Sequence, residues 1–179
     1  NYYYLKGKHM ANEEQFNLIK QGVEKWNQWR EDNADIKPDL SECDLRQANL
    51  QKANLSYTNL NKSKLQFSNM TGANLKETSL KKAKLQEANL QSANLQNANL
   101  SGAGMFEINL QYADLENANL QGAQFSEDVL FNQTNIKGAN LSGTTGLSSS
   151  QLDLAITDKN TKLPDYLEEE IDDDFLMQM

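Results

Sequence analysis

The chain has 179 residues, of which 38% are hydrophobic, and its 25 acidic against 17 basic residues give a net charge of -8. That balance lies near the border between folded and disordered chains. No run approaches the roughly 20 apolar residues of a membrane-spanning helix, and the N-terminus lacks the apolar core of a secretory leader. The single cysteine, Cys43, excludes an internal disulfide and fits a reducing, cytoplasmic setting, and the single histidine, His9, leaves little room for imidazole chemistry.

Residues 1–9 read as the remnant of an expression tag, because His9-Met10 is what a common cloning junction leaves, with Met10-Ala11 as the start. Residues 10–37 follow as an N-terminal cap. Phe16, Ile19, Val23 and Trp26 fall at helical spacing with Trp29 adjacent, which predicts one amphipathic helix over residues 12–32. Its expected task is to cover the open edge of the element behind it.

That element is a repeat. From Leu40 to Leu130 every fifth residue is large and apolar, sixteen leucines with Met70, Met105 and Phe125, nineteen in succession. Two residues earlier the residue is Ala at eleven of seventeen positions from 43 to 123, the others being Cys43, Thr58, Ser63, Ser68, Thr78 and Ile108. Between the two stands Asn or Asp at twelve of sixteen places from Asp44 to Asn119, so the unit reads Ala-Asn-Leu-x-x, as in Ala48-Asn49-Leu50. A period of five fits neither the 3.6 of a helix nor the 2 of a strand. Residues two apart share one side of an extended segment, so the chain must turn inside every unit. Recurrence at twenty (Lys62 and Lys82, Lys64 and Lys84, Glu87, Glu107 and Glu127) points to four sides per coil.

With this motif, A(D/N)Lxx over residues 38–143, the chain resembles the pentapeptide repeat family. The resemblance implies an all-β solenoid, a right-handed quadrilateral β-helix of about five coils and about 25 Å tall, with N- and C-terminal α-helical caps. Leu and Ala would lie inside, the two x positions outside, and the Asn side chains would stack into amide ladders. Leu18 to Arg30 and Asn160-Thr161-Lys162-Leu163-Pro164 resemble the cyanobacterial members more narrowly.

Near Asp128 the pattern slips. The step from Leu130 to Ile136 is six residues, and Asp128 falls on an Ala position, so one extra residue should bulge there. Residues 144–164 are expected to be a C-terminal cap, with a serine-capped short helix over Ser148 to Ile156. Residues 165–179 form an acidic tail of a composition that stays disordered alone. Charge is therefore uneven. Residues 38–143 carry nine bases and ten acids, a net of -1, while residues 144–179 carry two bases and nine acids.

Signatures of chemistry are missing. No paired carboxylates, phosphate-cradling glycine loop or nucleophile with a neighbouring base stands out, so the expectation is no enzyme, no cofactor, no metal and no small-molecule substrate. Cys43 occupies an inward Ala position, as a buried core residue would. What is left is surface. Lys62, Lys64, Lys81, Lys82 and Lys84 gather on one face and its corner, a candidate site for an anion or acidic partner set against a plain solvated face. The next face carries Phe67, Phe106 and the column Glu87, Glu107, Glu127, with Tyr57, Tyr112 and Phe131 as further exposed aromatics.

The expected function is a non-catalytic protein-interaction scaffold with an unidentified protein partner, no nucleic acid and no membrane. Five lysines without arginine or flanking aromatics make a poor nucleic-acid surface. The alternative, a DNA mimic inhibiting a type II topoisomerase as the quinolone-resistance members of the resembled family do, needs a strongly negative rod, which coils of net -1 do not supply. An inert spacer is the third reading.

Overall fold

The computed structural model describes residues 11–167. Four columns of single-residue parallel bridges run up the molecule at steps of twenty, lengthening to 21 or 22 in the uppermost bridges. They start at Asp39↔Asn59, Asp44↔Lys64, Asn49↔Asn69 and Asn54↔Asn74, and together make a four-sided solenoid.

Each unit satisfies its own backbone. In Ala73-Asn74-Leu75-Lys76-Glu77, Asn74 N–H donates to Ala53 O of the coil below at 2.9 Å, while Leu75 N–H and Glu77 N–H donate to Asn94 O and Gln96 O above at 2.6 and 2.9 Å. Ala73 N–H closes the preceding turn onto Met70 O at 3.0 Å. The remaining donor, Lys76 N–H, is taken at 3.2 Å by the side-chain Oδ1 of Asn74. All five donors are thus paired, which is the condition for burying a backbone. The same Asx turn recurs along the chain, as at Asn94 and Asn119. The expected amide ladders are a correction: only Asn59 to Asp39 and Asn135 to Asp114 bond from coil to coil among the Asn columns, because the nearer turn N–H captures Oδ1 first.

The eighteen repeat positions from Leu40 to Phe125 are all buried. Ala two residues earlier fits beside them where a larger group would overpack. Where a hydroxyl replaces Ala, it donates to a nearby main-chain carbonyl, Ser63 to Leu60 O at 2.7 Å, Thr78 to Leu55 O at 2.6 Å and Thr58 to Ser56 O at 3.4 Å, so these hydroxyls are not stranded. The second x residue of the turn takes positive φ, between 53° and 62° at fifteen non-glycine positions.

Two helices, not one, precede the solenoid: α1 (Glu13–Lys20) and α2 (Val23–Asp32). The apolar period runs through Gly22, but Gly22 adopts φ 118° and ψ 157°, which ends α1 and re-aims the chain. Ile19 and Trp26 both enter the core as a result. The helices supply the bonds that a coil below would make. Gln15 Oε1 accepts from Asp39 N–H at 2.8 Å, and Asn12 N–H donates to Asp39 O at 2.9 Å. Asn27 Oδ1 accepts from Asn54 N–H at 2.8 Å, and Arg30 Nη2 donates to Ser56 O at 3.2 Å.

At the other end α3 (Ser149–Leu152) is shorter than expected, closed by a capping box between Ser148 and Gln151. Beyond it the chain returns to the ladder, Ile156 bridging Asn135 and Lys162 bridging Asn140. Asp158 Oδ1 accepts from Gly138 N–H at 2.9 Å, where the next coil would place a carbonyl.

The slip lies one turn earlier than the sequence suggests. The turn after Phe125 holds Ser126, Glu127 and Asp128, three residues where other turns hold two, and closes with Val129 N–H on Ser126 O at 3.3 Å. Val129, not Asp128, takes the Ala position. Leu130 moves to the bridge position opposite Asn109 and is 42% exposed, while Phe131 takes the interior place at 1%. Phe131 is therefore no surface aromatic. Putting Val129 and Phe131 inside buries more apolar area than the unshifted register would. The extra turn is held by Gln151, whose Nε2 donates to the carbonyls of Ser126, Glu127 and Val129 at 3.2, 2.9 and 3.3 Å. The tag expectation for residues 1–9 and most of the acidic tail lie outside the described residues.

Candidate functional site

One side of the solenoid departs from the Asn rule on successive coils. Its bridge positions read Asp44, Lys64, Lys84, Gly104, Gln124 and Thr145. From Lys64 to Gln124 no side chain bonds the following turn N–H, so that of Gln66, Gln86 and Phe106 has no partner among the described residues. The side-chain Oε1 atoms of Gln66 and Gln86 are buried there without a hydrogen bond. A solenoid whose turns want Asn gives up that bond here on four levels, the kind of local rule-breaking that marks a surface under another demand.

The predicted lysines converge on this side. Lys64 and Lys84 are directly bridged neighbours, and Lys62, Lys81 and Lys82 occupy the corner before them; all five are exposed. Lys62 Nζ lies 3.6 Å from Glu42 and Lys64 Nζ 3.9 Å from Asp44. Lys81, Lys82 and Lys84 have no ion pair among the described residues. Asp44 is engaged more strongly by Arg46, with Nε to Oδ1 at 2.8 Å and Nη2 to Oδ2 at 2.6 Å. That side-chain hydrogen bond holds the Asp44 carboxyl down at about 2. Exposed pairs like these are screened by salt and add little stability.

The corner after this side carries the predicted aromatics and acids. Phe67 is 51% and Phe106 36% exposed. Phe67, Glu87 and Glu107 stack at twenty-residue steps, Phe67 N–H on Gln86 O at 3.0 Å and Glu87 N–H on Phe106 O at 2.9 Å. Glu127 falls in the lengthened turn and is out of step, Glu107 N–H meeting Ser126 Oγ instead. Phe67 edges a depression of about 310 Å³ with Asp44, Arg46 and Gln47. Tyr57 and Tyr112 are exposed on other corners.

Sequence reasoning missed a groove of about 670 Å³ between the start of α2 and the first coil, lined in part by Gly22, Lys25, Asn49 and Lys52. It also missed Leu130, Leu154 and Ile156, exposed near the C-terminal end. Only the slip could have signalled them.

Cys43 is buried, and burial, with Asp39 adding to it, pushes its thiol up to about 11. It is a thiol and no thiolate near neutral pH. Among the described residues no group of three His, Cys, Asp or Glu could hold a metal ion, and no helix is long and apolar enough to cross a membrane.

The model of pentapeptide repeats matches in 8 copies over residues 37–66, 68–103 and 108–145. The chain belongs to the pentapeptide repeat family. A pentapeptide repeat protein from the Arabidopsis thaliana thylakoid lumen is 31% identical with a TM-score of 0.58, over 60% of this chain and 73% of that one. Rfr23 of the cyanobacterium Cyanothece is 27% identical with a TM-score of 0.33, over 76% and 97%. QnrB1, a plasmid-mediated fluoroquinolone resistance protein, is 17% identical with a TM-score of 0.42, over 76% and 85%. No curated protein matches. Pentapeptide repeat proteins are right-handed quadrilateral β-helices, and the four bridge columns of this pentapeptide repeat protein are its four sides.

Proposed function

We propose that this pentapeptide repeat protein is a non-catalytic protein-interaction scaffold whose contact surface is the lysine side and the Phe67–Phe106 corner. The carrying observation is the loss of the turn-satisfying Asn on four successive levels of one side, at Lys64, Lys84, Gly104 and Gln124, next to exposed Phe67 and Phe106, where the other sides lose it at scattered positions such as Ser79 and Leu130. Aromatic side chains flanked by charge are the usual anchors of protein contacts. The described residues supply no activated nucleophile, since Cys43 is held protonated. Coils of net charge -1 do not support mimicry of DNA. In this reading α1 and α2 are an end cap that keeps the first coil from pairing with another chain.

A pull-down with the native chain and with Phe67→Ser/Phe106→Ser tests it. The double variant should lose its partner while keeping its far-UV circular dichroism. An unchanged partner list would place the contact on another surface.

A further inference from the structure

We propose that the partner of the lysine side is an acidic helix lying along the solenoid axis, with carboxylates at i and i+3 or i+4 that cap the open main-chain N–H groups of Gln66 and Gln86. This rests on the scaffold reading and gives its partner a chemistry.

A column of open donors carries it. The N–H groups of Gln66, Gln86, Phe106 and Ser126, one above the other at coil spacing, have no partner among the described residues. On the other three sides the same donor, from Ser41 to Ser142, is open only at Asn132 among the described residues. Even after Ser79 it is recovered, Lys81 N–H reaching Asn61 Oδ1 at 2.9 Å. Beside the column Gln66 Oε1 and Gln86 Oε1 are buried without a hydrogen bond. Unpaired polar groups gathered in one strip point to partners supplied from outside.

The foot of the column shows which group fits. Asp44 stands there in the Asn position, and its Oδ1 accepts from Arg46 N–H at 3.3 Å while Lys64 Nζ of the coil above lies 3.9 Å from Oδ2. On the next two levels the same position holds Lys64 and Lys84, which set a cation beside each open N–H where Asp44 sets an anion. A carboxylate placed between N–H and ammonium makes charge-assisted bonds to both. Lys81, Lys82 and Lys84 have no ion pair among the described residues, so the charge to meet an acidic stripe is free.

Spacing chooses a helix over a strand. Coils stack at about 4.8 Å, and helical positions i+3 and i+4 rise about 4.5 and 6 Å. Side chains on one face of a strand stand about 6.6 Å apart. Glu87 and Glu107 directly follow Gln86 and Phe106, so the acidic stripe must be narrow, with basic residues along its other edge. An evenly negative nucleic-acid backbone would meet those glutamates as well. Phe67 at the same corner offers the helix an apolar contact.

Two lactam-braced helical peptides of one composition test this on the full chain. One carries Glu at i, i+3 and i+7 with Lys along one edge of that stripe; the other carries the same residues spread around the helix. In fluorescence anisotropy the striped peptide should bind at least about tenfold tighter. The variants K64Q/K84Q and K64N/K84N then separate charge from hydrogen bonding. Both lose the same charge, but only Asn restores an Oδ1 that captures the following N–H, as Asn89 does for Gln91 at 3.0 Å. The Asn variant should therefore bind the striped peptide about fivefold more weakly than the Gln variant. In the native chain the Gln66 and Gln86 amide protons should shift downfield as the peptide binds. Equal affinities of the two peptides, equal affinities of the two variants, or a DNA duplex that binds more tightly than the striped peptide would each overturn the proposal. Peptides bound alike, beside a partner lost in the phenylalanine variant, would refute the helix alone; an unchanged partner list would refute the contact surface itself.

Discussion

The indole Nε1 of Trp26 donates to the main-chain carbonyl of Asn54 at 2.8 Å, from a side chain with no exposed surface. Asn54 belongs to the first coil, where a lower coil would otherwise supply that donor. Trp26→Phe keeps most of the apolar burial but leaves the carbonyl unpaired, and should cost about 1–2 kcal/mol. Trp26→Ala should cost about 3–5 kcal/mol and open the edge to self-association. Urea unfolding and size-exclusion chromatography read both. A phenylalanine variant as stable as the native chain would show that the bond to Asn54 contributes nothing.

Ser92 and Gly146 both sit at positive φ, 56° and 79°, yet they should respond differently to substitution. At Ser92 the left-handed conformation is the only demand, so Ser92→Val, with its branched Cβ, should destabilise by about 1–2 kcal/mol. Ser92→Gly should stay within about 1 kcal/mol of the native chain, the strain relieved and the added unfolded-state freedom opposing each other. At Gly146 a Cβ would lie 2.2 Å from Phe125 O and 2.7 Å from Phe125 C. Backbone must then move, so Gly146→Ala should cost more than Ser92→Val. The reverse order in thermal unfolding would refute the steric argument.

The regular coils were legible in the sequence because one side chain in five must be large and one small for the interior to close; the large position is filled without a break from Leu40 to Phe125, and the small one is broken only by Ile108 in that stretch. The positions of Lys62, Lys64, Lys81, Lys82 and Lys84 followed from the twenty-residue step alone. Hydrogen-bond direction did not follow: a string of Asn fits ladders and Asx turns equally, and only the distance from Asn74 Oδ1 to Lys76 N–H decides. The break at Gly22 was hidden because the apolar spacing of Ile19, Val23 and Trp26 continues across it.

Burial raises the Cys43 thiol from 9.0 to about 11, so the folded chain holds this proton more tightly than the unfolded chain does. The stability tied to the neutral thiol is complete below about pH 9 and is lost as pH rises from about 9 to about 11. Cys43→Ala, which restores the commonest residue of that position, should remove this component of the pH dependence. In the native protein a thiol reagent at pH 8 should react far more slowly than in urea. Equal rates in the two conditions would mean that the thiol is open to solvent.

The slip before Val129 makes the sharpest demand on mutagenesis, because two adjacent apolar residues exchange roles. An unbroken period of five would bury Leu130 and expose Phe131. The structure does the reverse, with Phe131 packed against Phe125 at a ring separation of 5.7 Å and Leu130 on the outside of its rung. Phe131→Ala should therefore cost about 3–5 kcal/mol through lost burial and the cavity left behind, whereas Leu130→Ala should fall within about 0.5 kcal/mol of the native chain, as an exposed substitution does. Gln151 enters the same prediction, since its Nε2 binds the carbonyls on both sides of the extra residue. Gln151→Leu should leave three carbonyls without that donor and lower stability by about 1–3 kcal/mol. Equal effects for Leu130 and Phe131 would mean that the register is not fixed, with the chain sharing its time between the bulged and unbulged pairings.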